Sequence, residues 1–257
     1  MNNVHVQDKF ENLVSIIMPA FNCGNFIGIT LDSVLAQTYQ SWEVIVIDDC
    51  STDNTQEIVK LYMTKDNRIK YHKLDKNSGA AVARNKAIDL AQGKYMAFLD
   101  SDDVWFPEKL TKQISFMEEY ECNFTCTSYT KIDEEGNYLN RTIKAHSKSD
   151  YNGILKTCPG NSTVIYNATN LGKFKIPNII KRNDYVMWLQ VIKKEKYLYG
   201  IEEPLSSHRI RTNAISSNKL SLIGYHWKVY RQIEQLSLIK SSYLIIYWII
   251  ATVFKLR

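Results

Sequence analysis

Tyr95-Met96-Ala97-Phe98-Leu99-Asp100-Ser101-Asp102-Asp103 runs five apolar residues straight into three carboxylates spaced D-x-D-D. The apolar part reads as a buried strand. Its end then places acids where a sheet meets solvent. Carboxylates that close repel one another unless a cation joins them. Hard oxygen ligands suit Mg2+ or Mn2+, and Mg2+ usually binds through one or two carboxylates plus substrate phosphates. The stretch therefore implies an enzyme that handles a phosphorylated substrate.

Upstream, residues 13–18 form a short apolar run stopped by Pro19, and residues 42–47 form a β-branched run ending on Asp48 and Asp49. Residues 68–74 suit a third strand. Between them, residues 25–37 carry Phe26, Ile27, Leu31, Val34 and Leu35 at helical spacing, polar residues 51–55 can cap a helix to Met63, and residues 79–92 form an Ala-rich helix closed by Gly93. Strands alternating with helices predict an α/β fold with an open, mostly parallel sheet and helices on both faces. In such sheets ligands bind beyond the carboxyl ends of the strands. Three polar clusters fall there: Pro19-Ala20-Phe21-Asn22, Asp48-Asp49, and the acids at 100–103. Downstream, a helix is expected over 107–120, strands over 124–129 and 137–143, and a helix over 183–193.

A length of 257 residues with 45% apolar content suits one large domain, or one with an appendage. We expect one main unit over 1–215, in two halves at about 13–103 and about 104–215, followed by a basic and apolar segment over 216–257. The net charge of +5 permits phosphate or anionic membrane contact, and no basic run with interleaved aromatics points to nucleic acid. Five scattered cysteines, an odd number, argue against a disulfide framework. The polar first twelve residues lack a signal-peptide core, so a cytoplasmic location at the inner face of the plasma membrane is expected.

The ordered set of Pro19, Phe21 and Asn22, then Asp48-Asp49-Cys50-Ser51-Thr52-Asp53, then Gly79 with Ala83-Arg84-Asn85, then Asp100-Ser101-Asp102-Asp103, resembles family 2 inverting glycosyltransferases. The resemblance spans roughly 13–211 and is closest to bacterial enzymes of capsule, O-antigen or teichuronic-type polysaccharides. It implies the GT-A fold and a nucleotide-sugar donor, usually a UDP-sugar, with 1–215 as the catalytic unit, a nucleotide-sugar half at about 13–103 and an acceptor half at about 104–215. It implies that Pro19, Ala20, Phe21 and Asn22 border the nucleotide, that Asp49 accepts from uracil with Asp48 before it, and that Gly79, Ser101 and Arg84 line the donor. Arg84 would reach the pyrophosphate or hold Asp102. Asp102 would bind the divalent cation, with Asp100 nearer the ribose or a metal-bound water, and Asp103 would cap a turn.

Inverting transfer also needs a base for the acceptor hydroxyl. Asp184, in Asn183-Asp184-Tyr185-Val186-Met187-Trp188-Leu189, matches the Asp of the family's Glu-Asp motif. Asn183 replaces the Glu and removes a charge there. From the residues alone, either could simply cap the helix. The segment Ser207-His208-Arg209-Ile210-Arg211 resembles a late Tyr-Arg-x-His loop, with Arg211 in the His position and His208 where Tyr is usual. Arg211 could clamp phosphates directly.

Residues 243–254 are the most apolar run, and a helix of 12 residues reaches only about 18 Å against roughly 30 Å of hydrocarbon. It suits peripheral membrane contact through 241–257 near a lipid-linked or glycan acceptor. Alternatively Leu236, Ile239, Tyr243, Ile246, Ile250 and Val253 form the stripe that packs on the catalytic unit or on a partner, including a second copy. Other readings of the whole chain are a sugar nucleotidyltransferase, which would want a Gly-rich basic loop after the first strand, and a non-catalytic nucleotide- or carbohydrate-binding module.

Overall fold

The computed structural model describes residues 12–179, 181–211 and 219–254. The expected boundary at Ser216 and the late-loop residues 212–216 lie outside them, as do Lys255 and Arg257. The first half alternates as expected: β1 (Val14–Ala20), α1 (Gly24–Leu35), β2 (Trp42–Asp48), α2 (Thr55–Lys65), β3 (Ile69–Lys73), α3 (Ala80–Leu90) and β4 (Tyr95–Phe98). These four strands are parallel, in the order β3-β2-β1-β4. Successive residues point to opposite faces. Thus Ile17, Ile45 and Ile47 enter one core, while Ile16, Met18, Val44 and Val46 enter the other. Both faces are covered, which is why these strands read as unbroken apolar runs.

Pro19 does not stop β1. Leu99 N–H donates to Ile17 O and Asp49 N–H donates to Ala20 O. Alternation therefore turns the Pro19 nitrogen toward β4, which has already ended at Phe98. Its missing donor is not needed there.

The second half is β5 (Val104–Trp105), α4 (Lys109–Glu119), β6 (Phe124–Ile132), β7 (Tyr138–Ile143), β8 (Lys148–Ser149), α5 (Tyr151–Lys156), a 3-10 turn (Asn161–Thr163), β9 (Ile165–Asn167), α6 (Ala168–Leu171), α7 (Asn183–Glu195) and β10 (Leu198–Arg209). The sheet continues β4-β9-β6-β10-β5, with β7 on β6 and β8 on β10. β9 is antiparallel to both neighbours and β10 is parallel to β6, so the sheet is mixed. The ends of β1, β2, β4, β6 and β10 therefore share one edge with the start of β9. Ser207, His208 and Arg209 belong to β10 rather than to a loop.

After residue 218 come α8 (Lys219–Lys228), a π-helical turn (Val229–Ile233) and α9 (Leu238–Val253). Val229, Tyr230 and Leu244 join the core that holds Phe98 and Trp188. α9 is longer than the apolar run, and it packs through the face opposite to the expected stripe. Ser241, Leu244, Trp248 and Ala251 are buried, whereas Ile239, Tyr243, Ile246, Ile250 and Val253 are exposed. Among the described residues no helix is long and apolar enough to cross a membrane.

Candidate active site

The site lies at the shared edge, in the crevice between β1 and β4 where the strand order reverses. On the β1 side, Pro19 and Ala20 are buried and Phe21 is exposed. Asn22 takes a left-handed φ of 45°. Its side-chain oxygen accepts from Thr52 N–H (2.9 Å), and its own N–H donates to Ser51 Oγ (2.9 Å). The first two strand-end loops are thus tied together.

Asp48 and Asp49 have different places. Asp48 is fully buried. It accepts from Ser51 N–H (2.7 Å) and from the Tyr71 hydroxyl (2.6 Å). It therefore supports the turn from beneath and offers no surface to a ligand, contrary to its expected place in the donor set. Asp49 accepts from the backbone N–H of Ser78 and of Gly79, both at 2.7 Å. Gly79 has φ 91°, a conformation that favours glycine, and it starts α3. Asp49 therefore anchors the loop that aims α3 at the crevice.

α3 delivers Arg84, which is buried rather than a surface charge. Its guanidinium donates to Asp100 Oδ1 (2.7 Å) and to Asn183 Oδ1 (3.0 Å). It does not hydrogen-bond Asp102, one of the two partners expected from sequence. Burial opposes its charge, but the carboxylates of Asp100, Asp184 and Asp102 outweigh burial and raise its pKa. Neighbouring Asn85 exchanges two 2.8 Å bonds with the backbone of Ile176, pinning the segment before α7 onto α3.

Asp100, Asp102 and Asp103 sit in unequal surroundings. Asp100 also accepts from Asn161 Nδ2 (2.8 Å), and its N–H donates to Ser162 Oγ (3.0 Å). The Ser101 carbonyl accepts from Thr30 Oγ1 (3.0 Å). Asp103 is buried, accepting from Ser162 Oγ (2.5 Å) and Arg209 N–H (3.0 Å). Burial, followed by the charge of Asp100, raises its pKa. Asp102 meets Arg211 at 3.3 Å. Burial, then Asp103 and Asp100, push Asp102 up to about 6, with Arg211 pulling the other way. Arg211 also lies 5.0 Å from the Phe26 ring centre.

Arg209, on the same strand, is held by the carbonyls of Asp102, Asp133 and Glu134. It is a clip for the motif. His208 stacks on Tyr129 with ring centres 3.8 Å apart, and burial pushes its imidazole down to about 3. It is therefore neutral and carries no surface charge at working pH.

α7 carries Asp184 in its first turn, where a carboxylate suits the helix dipole. Neither Asn183 nor Asp184 occupies the cap position. That is Arg182, in a left-handed conformation with φ 63°. The helix is fixed by Trp188, whose ring packs edge-on against Phe98 of β4 at 4.9 Å. α7, which carries Asp184, is thus docked on the strand that leads into the acids.

Asn161 and Ser162 hold Asp100 and Asp103, and no sequence signal marks that work. Among the described residues no cluster of three metal-ligating side chains occurs. The crowding that raises Asp102 fits a cation held by one or two carboxylates and completed by substrate oxygens, not an all-protein cage.

Residues 15–177 match the family model described as glycosyl transferase family 2. Over 236 residues the chain is 43% identical to a Bacillus subtilis protein named for teichuronic acid biosynthesis, glycosyltransferase TuaG, covering 91% of this chain and 94% of that one. It is 37% identical over 242 residues to UDP-Glc:alpha-D-GlcNAc-diphosphoundecaprenol beta-1,3-glucosyltransferase WfgD of Escherichia coli, covering 93% and 94%. S. aureus TarS 1-349 in complex with UDP-GlcNAc is similar in fold, with a TM-score of 0.74 at 22% identity over 93% of this chain and 71% of that one.

Proposed function

We propose that this chain, which belongs to glycosyl transferase family 2 and is a glycosyltransferase of the GT-A fold, moves a sugar from a UDP-sugar to a lipid-linked saccharide with inversion, in bacterial surface polysaccharide synthesis. The observation that carries the reading is the Arg84 bridge. One buried guanidinium joins Asp100, beside the expected leaving group, to Asn183, beside the expected base. Two groups that act on opposite sides of one anomeric carbon need such a fixed spacing.

In this reading Asp49 keeps lone pairs for the uracil imide, because each of its oxygens accepts one backbone bond. Asp102, with Asp100 behind it, would hold Mg2+ or Mn2+, and the ion supplies charge neutralisation for the departing diphosphate. Arg211 lies beside Asp102 and carries positive charge to the same place. Asp184 takes the proton of the acceptor hydroxyl. That oxygen bonds to the anomeric carbon as the bond to the diphosphate oxygen breaks, and the electron pair leaves with UDP. The exposed face of α9 would rest on the membrane that carries the acceptor.

The test is product stereochemistry together with Asp184→Asn. An α-linked UDP-sugar should give a β-glycoside, read from the anomeric proton coupling. The variant should lose on the order of 10²- to 10⁴-fold in turnover while its affinity for UDP stays within about twofold. A retained anomeric configuration, or undiminished turnover, refutes the mechanism.

A further inference from the structure

α9 leaves Ile239 84% and Val253 68% exposed, on one face with Tyr243, Ile246 and Ile250. A contiguous apolar face of this kind marks an interaction site. Beside it lies a cleft of about 460 Å3 lined by His146, Lys148, Lys156, Tyr197 and Tyr247. That volume is in the usual range of ligand sites. The one acid in its lining, Asp150, has its carboxylate engaged by Gly153 N–H at the start of α5.

The lysines are placed by aromatic rings. Lys148 Nζ lies 3.8 Å from the Tyr197 ring centre, and Lys156 Nζ lies 5.7 Å from that of Tyr247. Such contacts orient an ammonium and leave its charge intact. The cleft therefore brings two lysines and two tyrosines together beside the apolar helix, with Tyr247 of α9 in its wall. Those features match an anionic headgroup joined to a hydrocarbon chain.

The cleft also shares part of its wall with a second cavity. That smaller cavity, of about 40 Å3, has His146, Ser149 and Thr157 in common with it and is also lined by Tyr129 and Gly160. Gly160 precedes Asn161, whose amide donates to Asp100. The chain from Lys156 to Asn161 spans at most roughly 17 Å even if fully extended. The cleft stands within that reach of the reaction, with α9 at its outer edge.

We propose that this cleft binds the diphosphate of the lipid-linked acceptor, with the lipid lying along the outer face of α9. The proposal rests on the lipid-linked reading given above. It makes Lys148 and Lys156 the residues that distinguish an acceptor on its diphosphate lipid from a free saccharide.

The full-length protein is floated with phosphatidylcholine vesicles carrying a small fraction of polyprenyl diphosphate, of polyprenol, or of phosphatidylglycerol at matched charge. The diphosphate should tighten binding over polyprenol by on the order of tenfold to thirtyfold, as two lysines near an anionic surface supply. K148A/K156A should abolish that gain and K148R/K156R should keep it. An equal gain from phosphatidylglycerol would make the cleft a general anionic-surface contact and overturn the proposal. So would an undiminished gain in K148A/K156A. Stabilisation of the same proteins by UDP-sugars against heat is read in parallel. No UDP-sugar binding by the parent protein refutes the glycosyl-transfer reading itself, whereas normal binding without a diphosphate gain refutes this site alone.

Discussion

Asp102→Asn is expected to make the folded protein more stable at neutral pH while abolishing transfer. The reason is the field around this carboxylate. It is about one-fifth exposed, with a side-chain exposure of 22%, and Asp103 and Asp100 sit beside it. Its pKa rises from 3.8 to about 6. The folded state thus holds a proton that the unfolded chain has already released. Stability from this group is greatest below pH 3.8, falls as pH rises through the interval, and is lost above 6. A shift of roughly two units corresponds to about 3 kcal/mol at pH 8 and about half that at pH 5. The neutral amide removes that penalty. For a chain of this size the gain corresponds to a rise in Tm of roughly 6–12 °C at pH 8, shrinking to about half at pH 5. Scanning calorimetry of both proteins at the two pH values checks this. An unchanged or lowered Tm at pH 8, or a gain of equal size at pH 5, would refute the reasoning.

Arg84→Lys should retain the charge near Asp100 but lose the second bond to Asn183, lowering kcat by roughly 10- to 100-fold, the scale of one hydrogen bond to a charged group. Asn183→Ala should give a similar loss, and the double variant should be no worse than either single one, because one bridge is broken once. Additive losses in a double-mutant cycle would dissolve the bridge. Asp48→Asn should lower stability by about 1–3 kcal/mol, since a neutral amide replaces the carboxylate that accepts from both Ser51 N–H and the Tyr71 hydroxyl. The KM for the donor should hold in that variant, and a rise in KM without loss of stability would place Asp48 in the donor site after all. EDTA should suppress transfer and Mn2+ or Mg2+ should restore it, as measured by UDP release. Full activity after chelation would remove the cation from Asp102.

The first half of the fold is legible because its signals are local. Residues 13–18 and 42–47 are short and β-branched, the intervening helices repeat at 3.6, and polar residues mark each strand end. The second half hides its strands. β5 and β8 have two residues each and β9 has three, too short for any period to show. β10 contains Glu202, Glu203 and Pro204 within a strand that slips register twice along β6, so its pattern reads as loop. The reversal on α9 has a related cause. That helix is apolar nearly all round, and periodicity cannot say which apolar stripe turns inward.

The sequence by itself determined the fold class and the edge at which the candidate residues gather, because strand alternation and strand-end acids depend only on neighbours in the chain. It also supplied Asp102, Asp49 and Asp184 as the groups to watch. Tertiary structure alone decided which of the acids are supports and which face the crevice. Arg84 reaches partners 16 and 99 residues away, and Ser162 reaches Asp103 across 59. A buried charge must be matched by whatever the fold brings within hydrogen-bond range, and no local pattern records what that will be.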